Sequence, residues 1–231
     1  MDKQLYKLLL SIDTPTVCNA IEVAQGQRGF DQFTRGTLQA SDPTANAIVG
    51  YAKTAQIAAI KPLALPPDEV KALRMQYYKY MSQGPHPSVT VIEDLDYPDA
   101  VGAYWGGINT HVHKGFGISG ALTNGVMRDL GDLPEGFPVL AGSIGPSHAF
   151  VHVESIATPV TVFGLTIHEG DLIHADRHGA VIIPTDIIPK LENAIQRVIH
   201  NEQIVLQAAK EDGFDFERFE QAWAEFERVR T

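Results

Sequence analysis

Apolar residues recur at helical spacing near the N-terminus. Leu5, Leu8 and Leu9 share one face of residues 2–11, and Val17, Ala20, Ile21 and Ala24 share one face after Thr14-Pro15-Thr16. Two helices are expected, the second closed by Gly26. Residues 46–60 change to weak alternation with β-branched side chains, which reads as a strand interrupted by a glycine. A connection containing Pro62, Pro66 and Pro67 leads to a third helix, capped by Asp68, with Val70, Leu73, Tyr77, Tyr80 and Met81 on one face. Gln83-Gly84-Pro85 stops it.

The run VTVIEDLD predicts a strand that ends in Glu93, Asp94 and Asp96, INTHVHK a short helix, and ISGALTNG a buried strand leading to a turn at Arg128-Asp129. Short strands dominate 137–184, followed by a helix with Leu191, Ala194, Ile195, Val198 and Ile199 in one stripe and Thr185 or Asp186 as its cap. Gly213 breaks this helix before an amphipathic tail with Phe214, Phe216, Phe219, Trp223 and Phe226. So many aromatics point to subunit packing, with packing inside the chain as the plainer account. Residues 1–231 read as one α/β domain in which 185–231 form a helical tail.

Composition narrows the function. With 28 acidic against 18 basic residues the net charge is −10, which repels phosphate backbones and anionic membranes, so no nucleic-acid or membrane partner is expected. The single cysteine, Cys18, cannot form an internal disulfide and reads as a buried inert thiol. The only apolar run near the N-terminus is too short for a leader or a membrane span, so a cytoplasmic protein is expected.

Several motifs invite chemistry that their context denies. Gly115-Phe116-Gly117-Ile118-Ser119-Gly120 spells the dinucleotide fingerprint, but a helix precedes it and a strand follows, the reverse of what a pyrophosphate needs. His111 and His113 lie two apart on a predicted helix, where side chains diverge, and read as solvated. His148, His152, His168, His174 and His178 read as satisfied surface residues, and no GxSxG elbow is present. The acidic run Glu93, Asp94, Asp96 and Asp99 reads first as a solvated turn and second as a source of a proton-transfer carboxylate.

The stretch Trp105 to Asp132 holds more promise. Arg128, Asp129 and Asp132 place a guanidinium beside two carboxylates, the chemistry that holds a small acid against a divalent cation; a surface ion-pair turn is the alternative. Arg128 and Asp129 can serve one ligand only if the chain turns there, which Gly125 and Gly131 would permit. A three-residue spacing would put Asp129 and Asp132 on one side of a helical turn.

The same stretch resembles the signature of the RraA-like family, which includes class II 4-hydroxy-4-methyl-2-oxoglutarate / 4-carboxy-4-hydroxy-2-oxoadipate aldolases and the regulator of ribonuclease E activity A. The resemblance rests on Gly117-Ile118-Ser119-Gly120, Asn124-Gly125-Val126-Met127-Arg128-Asp129, Phe137-Pro138-Val139-Leu140-Ala141-Gly142, Gly170-Asp171-Leu172, Ala175-Asp176 and Gly179 to Pro184, and covers roughly residues 12–200. Two positions depart from the aldolase pattern. Gly107 stands where the aldolases have an acid, as in a variant branch with an added acid at the place of Asp132, and Asn124 replaces an Asp.

The resemblance implies a phosphohistidine-swivelling-domain-like β/α/β sandwich that assembles as a homotrimer or a hexamer. It implies a metal-dependent lyase, an aldolase or oxaloacetate decarboxylase, that acts on a small 2-oxo acid through a pyruvate enolate. Mg²⁺ or Mn²⁺ would lie on Asp129 and Asp132, Arg128 would neutralise charge, and Gly107 with the N–H groups of Ile108 and Asn109 would bind the substrate. The rival role it implies is a non-catalytic regulator of the ribonuclease E inhibitor type.

Overall fold

The weakly alternating segment becomes the central strand of the molecule. A computed structural model describes residues 1–230. Its helices are α1 (Lys3–Ser11), α2 (Thr14–Gln25), α3 (Pro67–Met81), α4 (Gly107–Gly115), α5 (Ile188–Ala208) and α6 (Phe216–Val229). The strands through the first half are β1 (Gln39–Ala40), β2 (Ile48–Ala58), β3 (Ser88–Asp94), β4 (Ala103–Trp105), β5 (Ile118–Thr123) and β6 (Val126–Met127). Those that follow are β7 (Val139–Ala141), β8 (Ser143–Ile144), β9 (His152–Ile156), β10 (Val160–Val162), β11 (Leu165–Ile167), β12 (Leu172–Asp176) and β13 (Gly179–Ile183).

Eight strands form one mixed sheet in the order β1-β7-β5-β3-β2-β12-β13, with β9 also paired to β2. β2 runs parallel to β3 along one edge, while its other edge takes β12 near Ile48–Tyr51 and β9 near Ala55–Ala58. Parallel neighbours need long crossovers; α3 supplies the one between β2 and β3, and β4 with α4 the one between β3 and β5. A second sheet, β4-β6-β8, is parallel throughout, and β10 and β11 form a hairpin.

The core has three parts. Leu5, Leu9, Val17, Ile21, Leu191 and Ile195 press the N-terminal helices and α5 onto β2, β12 and β13. Val160, Val162, Leu165 and Ile167 lay the hairpin over Ile48, Val89 and Val91. Tyr77, Met81, Trp105, Met127 and Phe137 bury α3 against the small sheet, the packing that bears on function.

Several local expectations change. Pro66, not Asp68, occupies the cap position of α3, and Asp68 falls in its acidic first turn, where it suits the helix dipole. Thr185 and Asp186 do not cap α5 but form a short 3-10 turn ahead of it. Ile199 leaves the buried stripe of α5 and is exposed. α6 packs along α5, where Asn201 Nδ2 donates to Val229 O at 2.7 Å, yet no described residue of α6 is fully buried. Its aromatics stack on one another, Phe216–Phe219–Trp223–Phe226, with centroids 6.1, 5.7 and 5.4 Å apart. Cys18 is half-buried, and desolvation pushes its thiol up to about 11, in keeping with an inert thiol.

Candidate functional site

Two parallel strand ends create the site. β4 and β6 pair so that Trp105 lies opposite Met127, and the Arg128 N–H donates to Trp105 O at 2.8 Å. β4 then runs into Gly106 and the first turn of α4, while β6 runs into Arg128-Asp129, so both carboxyl ends open on one side. Gly107 N–H donates to Asp129 Oδ2 at 2.9 Å, and Arg128 Nε lies 3.6 Å from the same oxygen. That second distance is too long for a hydrogen bond, and Nε is a buried donor with no partner among the described residues.

The chain turns at Asp129 itself, which has φ 58°, a left-handed conformation that Asp tolerates better than most residues. The expected helical turn is therefore replaced by a tight turn, closed by the Asp132 N–H donating to Asp129 O at 2.9 Å. Gly125 and Gly131 do not make it, as neither has positive φ. Gly125 is needed for close packing instead, because a Cβ there would stand 2.8 Å from Asp94 Oδ2. Gly106 is under the same kind of constraint, since a Cβ would meet Asp129 Oδ2 at 2.6 Å and Arg128 Nε at 2.9 Å.

Arg128 and Gly106 form part of the wall of a cavity of about 510 Å³, together with Ile108, Asn109, Tyr104, residues 148–153 and the α3 stripe Val70, Arg74 and Tyr78. No Asp or Glu belongs to that wall, whereas Arg74, Arg128, His148 and His152 do. In a chain of net charge −10 this is a local reversal of sign. Asp129 and Asp132 lie outside the wall, beside Gly107, whose added Cβ would be 3.8 Å from both Asp129 Oδ2 and Asp132 O. No cluster of three or more His, Cys, Asp or Glu able to hold a metal occurs among the described residues. Asp129 and Asp132 offer hard carboxylate oxygens, a donor type that would suit Mg²⁺ or Mn²⁺ held largely by water rather than a soft or fully caged metal.

Behind the site lies a polar brace that the sequence did not reveal. Tyr78 OH donates to Asn109 Oδ1 while the Asn109 amide donates to Tyr104 O, so α3, α4 and β4 share one side chain. His113, expected to be solvated, is fully buried: its ring lies 2.7 Å from Tyr77 OH through Nε2 and 2.6 Å from Asn109 O through Nδ1. Desolvation lowers its pKa to about 4, so the ring is neutral and bridges a hydroxyl to a carbonyl. His111 alone of that pair is exposed. His174 and His152 are likewise buried rather than on the surface; His174 lies between Thr14 Oγ1 and Leu9 O, and His152 between Phe150 O and Glu154.

The acidic run is not a solvated turn throughout. Asp94 is buried, with Oδ2 unpartnered, and burial raises its carboxyl to about 6. Asn124 explains its own departure from Asp: Oδ1 accepts from Asp94 N at 2.7 Å and Nδ2 donates to Asp94 O at 3.2 Å, and a carboxylate could not donate. Glu93 accepts from Gln56 and Asp96 from Ala59 and Ile60, so the run ties the ends of β2 and β3 and contributes nothing to the cavity wall. In the glycine fingerprint, Gly117 has φ 81° in the turn between α4 and β5, and Gly120 admits Ile48 and Pro138 O, both at 2.8 Å from an added Cβ.

Comparisons with known proteins bear on family and fold. The family model described as RraA-like, Aldolase/RraA, matches residues 14–182. Protein DlpA of Legionella pneumophila is 29% identical over 119 residues, which span 49% of this chain and 19% of that protein. An uncharacterised protein of Methanocaldococcus jannaschii is 32% identical over 95 residues, or 40% of this chain and 46% of that protein. The chain thus spans less than half the length of these curated relatives. Among solved structures, an uncharacterised protein from Pseudomonas syringae pv. tomato superimposes with a TM-score of 0.72 at 23% identity, covering 97% of this chain and 94% of that one. Streptomyces coelicolor RraAS2, described as an unusual member of the RNase ES inhibitor RraA protein family, gives a TM-score of 0.64 at 22% identity, covering 91% and 98%. At such identities the likeness is one of fold.

Proposed function

This chain belongs to the RraA-like family, and from that premise we propose that it is a divalent-metal-dependent lyase cleaving a C–C bond beside a 2-oxo acid. The family contains class II aldolases and also non-catalytic regulators. The observation that carries the enzymatic reading is the unpartnered Arg128 Nε, beside Asp129 and the first turn of α4, on a cavity wall with no acidic side chain. A surface ion-pair turn has no need of such a cavity.

The first-turn N–H groups of Ile108 and Asn109 have no intrahelical acceptor, and they would take the substrate carboxylate. Arg128 would offset the charge that develops on the 2-oxo oxygen as the bond breaks. Gly107 N–H, by holding Asp129 Oδ2, sets where that carboxylate can act. Asp129 and Asp132 would hold Mg²⁺ or Mn²⁺, which when bound supplies Lewis acidity toward a chelating 2-oxo acid. The substrates of this class are 4-hydroxy-2-oxo diacids, cleaved by retro-aldol reaction to pyruvate, and oxaloacetate, which loses carbon dioxide to give the same product.

Family members are typically oligomeric, and we extend the proposal to a homotrimer or a hexamer. Ile108 is 80% and Phe150 58% exposed, and both belong to the cavity wall, where a neighbouring subunit would cover them. A lactate dehydrogenase-coupled assay of the purified protein with oxaloacetate and 4-hydroxy-2-oxo diacids tests the reaction, with Mg²⁺ and with EDTA. Metal-dependent pyruvate release is expected. Its absence with all of these substrates would leave a non-catalytic regulator as the reading to pursue, in line with the RNase ES inhibitor family to which the Streptomyces relative is assigned.

A further inference from the structure

We infer that Arg74, on α3, is the residue that receives the distal carboxylate of the diacid substrate; this rests on the lyase reading above. Val70, Arg74 and Tyr78 recur every four residues on α3, which puts them on one face, and all three belong to the wall of the 510 Å³ cavity. That face is fixed relative to the reacting end. The Tyr78 hydroxyl, one turn beyond Arg74, donates to Asn109 Oδ1 in the first turn of α4, the turn that follows Gly106, whose added Cβ would lie 2.9 Å from Arg128 Nε. Arg74, from α3, and Arg128, from the end of β6, thus both line one cavity.

Arg74 has no internal task that would account for it. No carboxylate lies within 4.0 Å of it and it makes no side-chain hydrogen bond among the described residues; Arg35 is equally unpaired but does not belong to the cavity wall. A guanidinium left free on a wall without acids matches a carboxylate ligand, which it can take in a bidentate fork. A 2-oxo monoacid would engage only the Arg128 end. A diacid would span from the α4 N-terminus to α3.

The test compares two ligands of equal chain length, 2-oxoglutarate and 2-oxopentanoate, by isothermal titration calorimetry on the full chain with Mg²⁺. The unaltered protein should bind 2-oxoglutarate about tenfold or more tightly than 2-oxopentanoate, or about 1.4 kcal/mol. Arg74→Gln, at an exposed position where folding is checked by circular dichroism, should remove that preference and leave 2-oxopentanoate binding unchanged. Arg128→Gln should weaken both ligands. If the unaltered protein binds both equally, or if Arg74→Gln keeps the preference, the Arg74 assignment fails while the lyase reading stands. If the unaltered protein binds neither, both fail.

Discussion

Gly106 and Gly107 are neighbours with opposite tolerances. An added Cβ at Gly106 would lie 2.6 Å from Asp129 Oδ2 and 2.9 Å from Arg128 Nε, whereas at Gly107 the nearest atoms are 3.8 Å away. Gly106→Ala should therefore displace both charged heads and lower oxaloacetate turnover about a hundredfold, the penalty typical of a 1 Å misplacement, while Gly107→Ala stays within a few-fold. Steady-state kinetics on the two variants checks this; equal losses would mean that crowding at Gly106 is irrelevant. At this scale much of the site was legible. The resemblance brought Gly107, Arg128, Asp129 and Asp132 together, and the structure places Gly107 and Asp129 in direct contact. What the sequence misassigned was the turn. The sequence points to flanking Gly125 and Gly131, but Asp129 itself adopts positive φ, a conformation to which Asp is better suited than most side chains. Arg74 was overlooked because one charged residue in a stripe of apolar and aromatic side chains reads as solvated.

α3 and α4 are held together by side-chain hydrogen bonds as well as apolar packing. Tyr78→Phe removes the donor to Asn109 Oδ1 and should cost about 1 kcal/mol in urea unfolding; an unchanged midpoint would show that the brace is idle. The buried histidines add a pH dependence. Desolvation lowers the pKa of His113 to about 4 from an ordinary 6.5 and also lowers that of His174, so the unfolded chain takes up protons first as pH falls. The contribution of His113 is complete above pH 6.5 and is lost as pH drops from there toward 4, and His174 acts in the same direction. Asp94 acts in the opposite sense. Its carboxyl is raised to about 6 from 3.8, so its contribution is present below 3.8 and lost as pH rises through 6. Asp94→Asn, which mimics the neutral acid, should therefore raise the Tm relative to the unaltered protein at pH 8, with the difference fading near pH 4. Thermal melts across that range decide it, and a variant less stable at pH 8 would contradict the assignment. None of this was visible in the sequence, where a histidine on a short helix and an aspartate at a strand end give no sign of burial.

The order of helices and strands was largely readable because long periodic segments such as β2, α3 and α5 carry strong patterns. The sheet β4-β6-β8 was not, since its strands have three, two and two residues and too few positions to show a period. Yet that sheet aligns Trp105 with Met127 and so creates the site. The cavity was equally hidden, because its wall joins α3, α4 and residues 148–153, segments far apart along the chain. Assembly belongs to this scale too. Sedimentation equilibrium should give a trimer or a hexamer, and Phe150→Asp should shift it toward monomer; a monomeric unaltered protein would contradict the proposed assembly. In the proposed reaction Arg128, at the joined ends of β4 and β6, stabilises charge on a 2-oxo acid. The most direct measurement is the rate of oxaloacetate decarboxylation with saturating Mg²⁺ for the unaltered protein and for Arg128→Gln. Metal-dependent turnover should fall about a hundredfold or more in the variant; equal rates in the two proteins, or no turnover in the first, would contradict this role for Arg128.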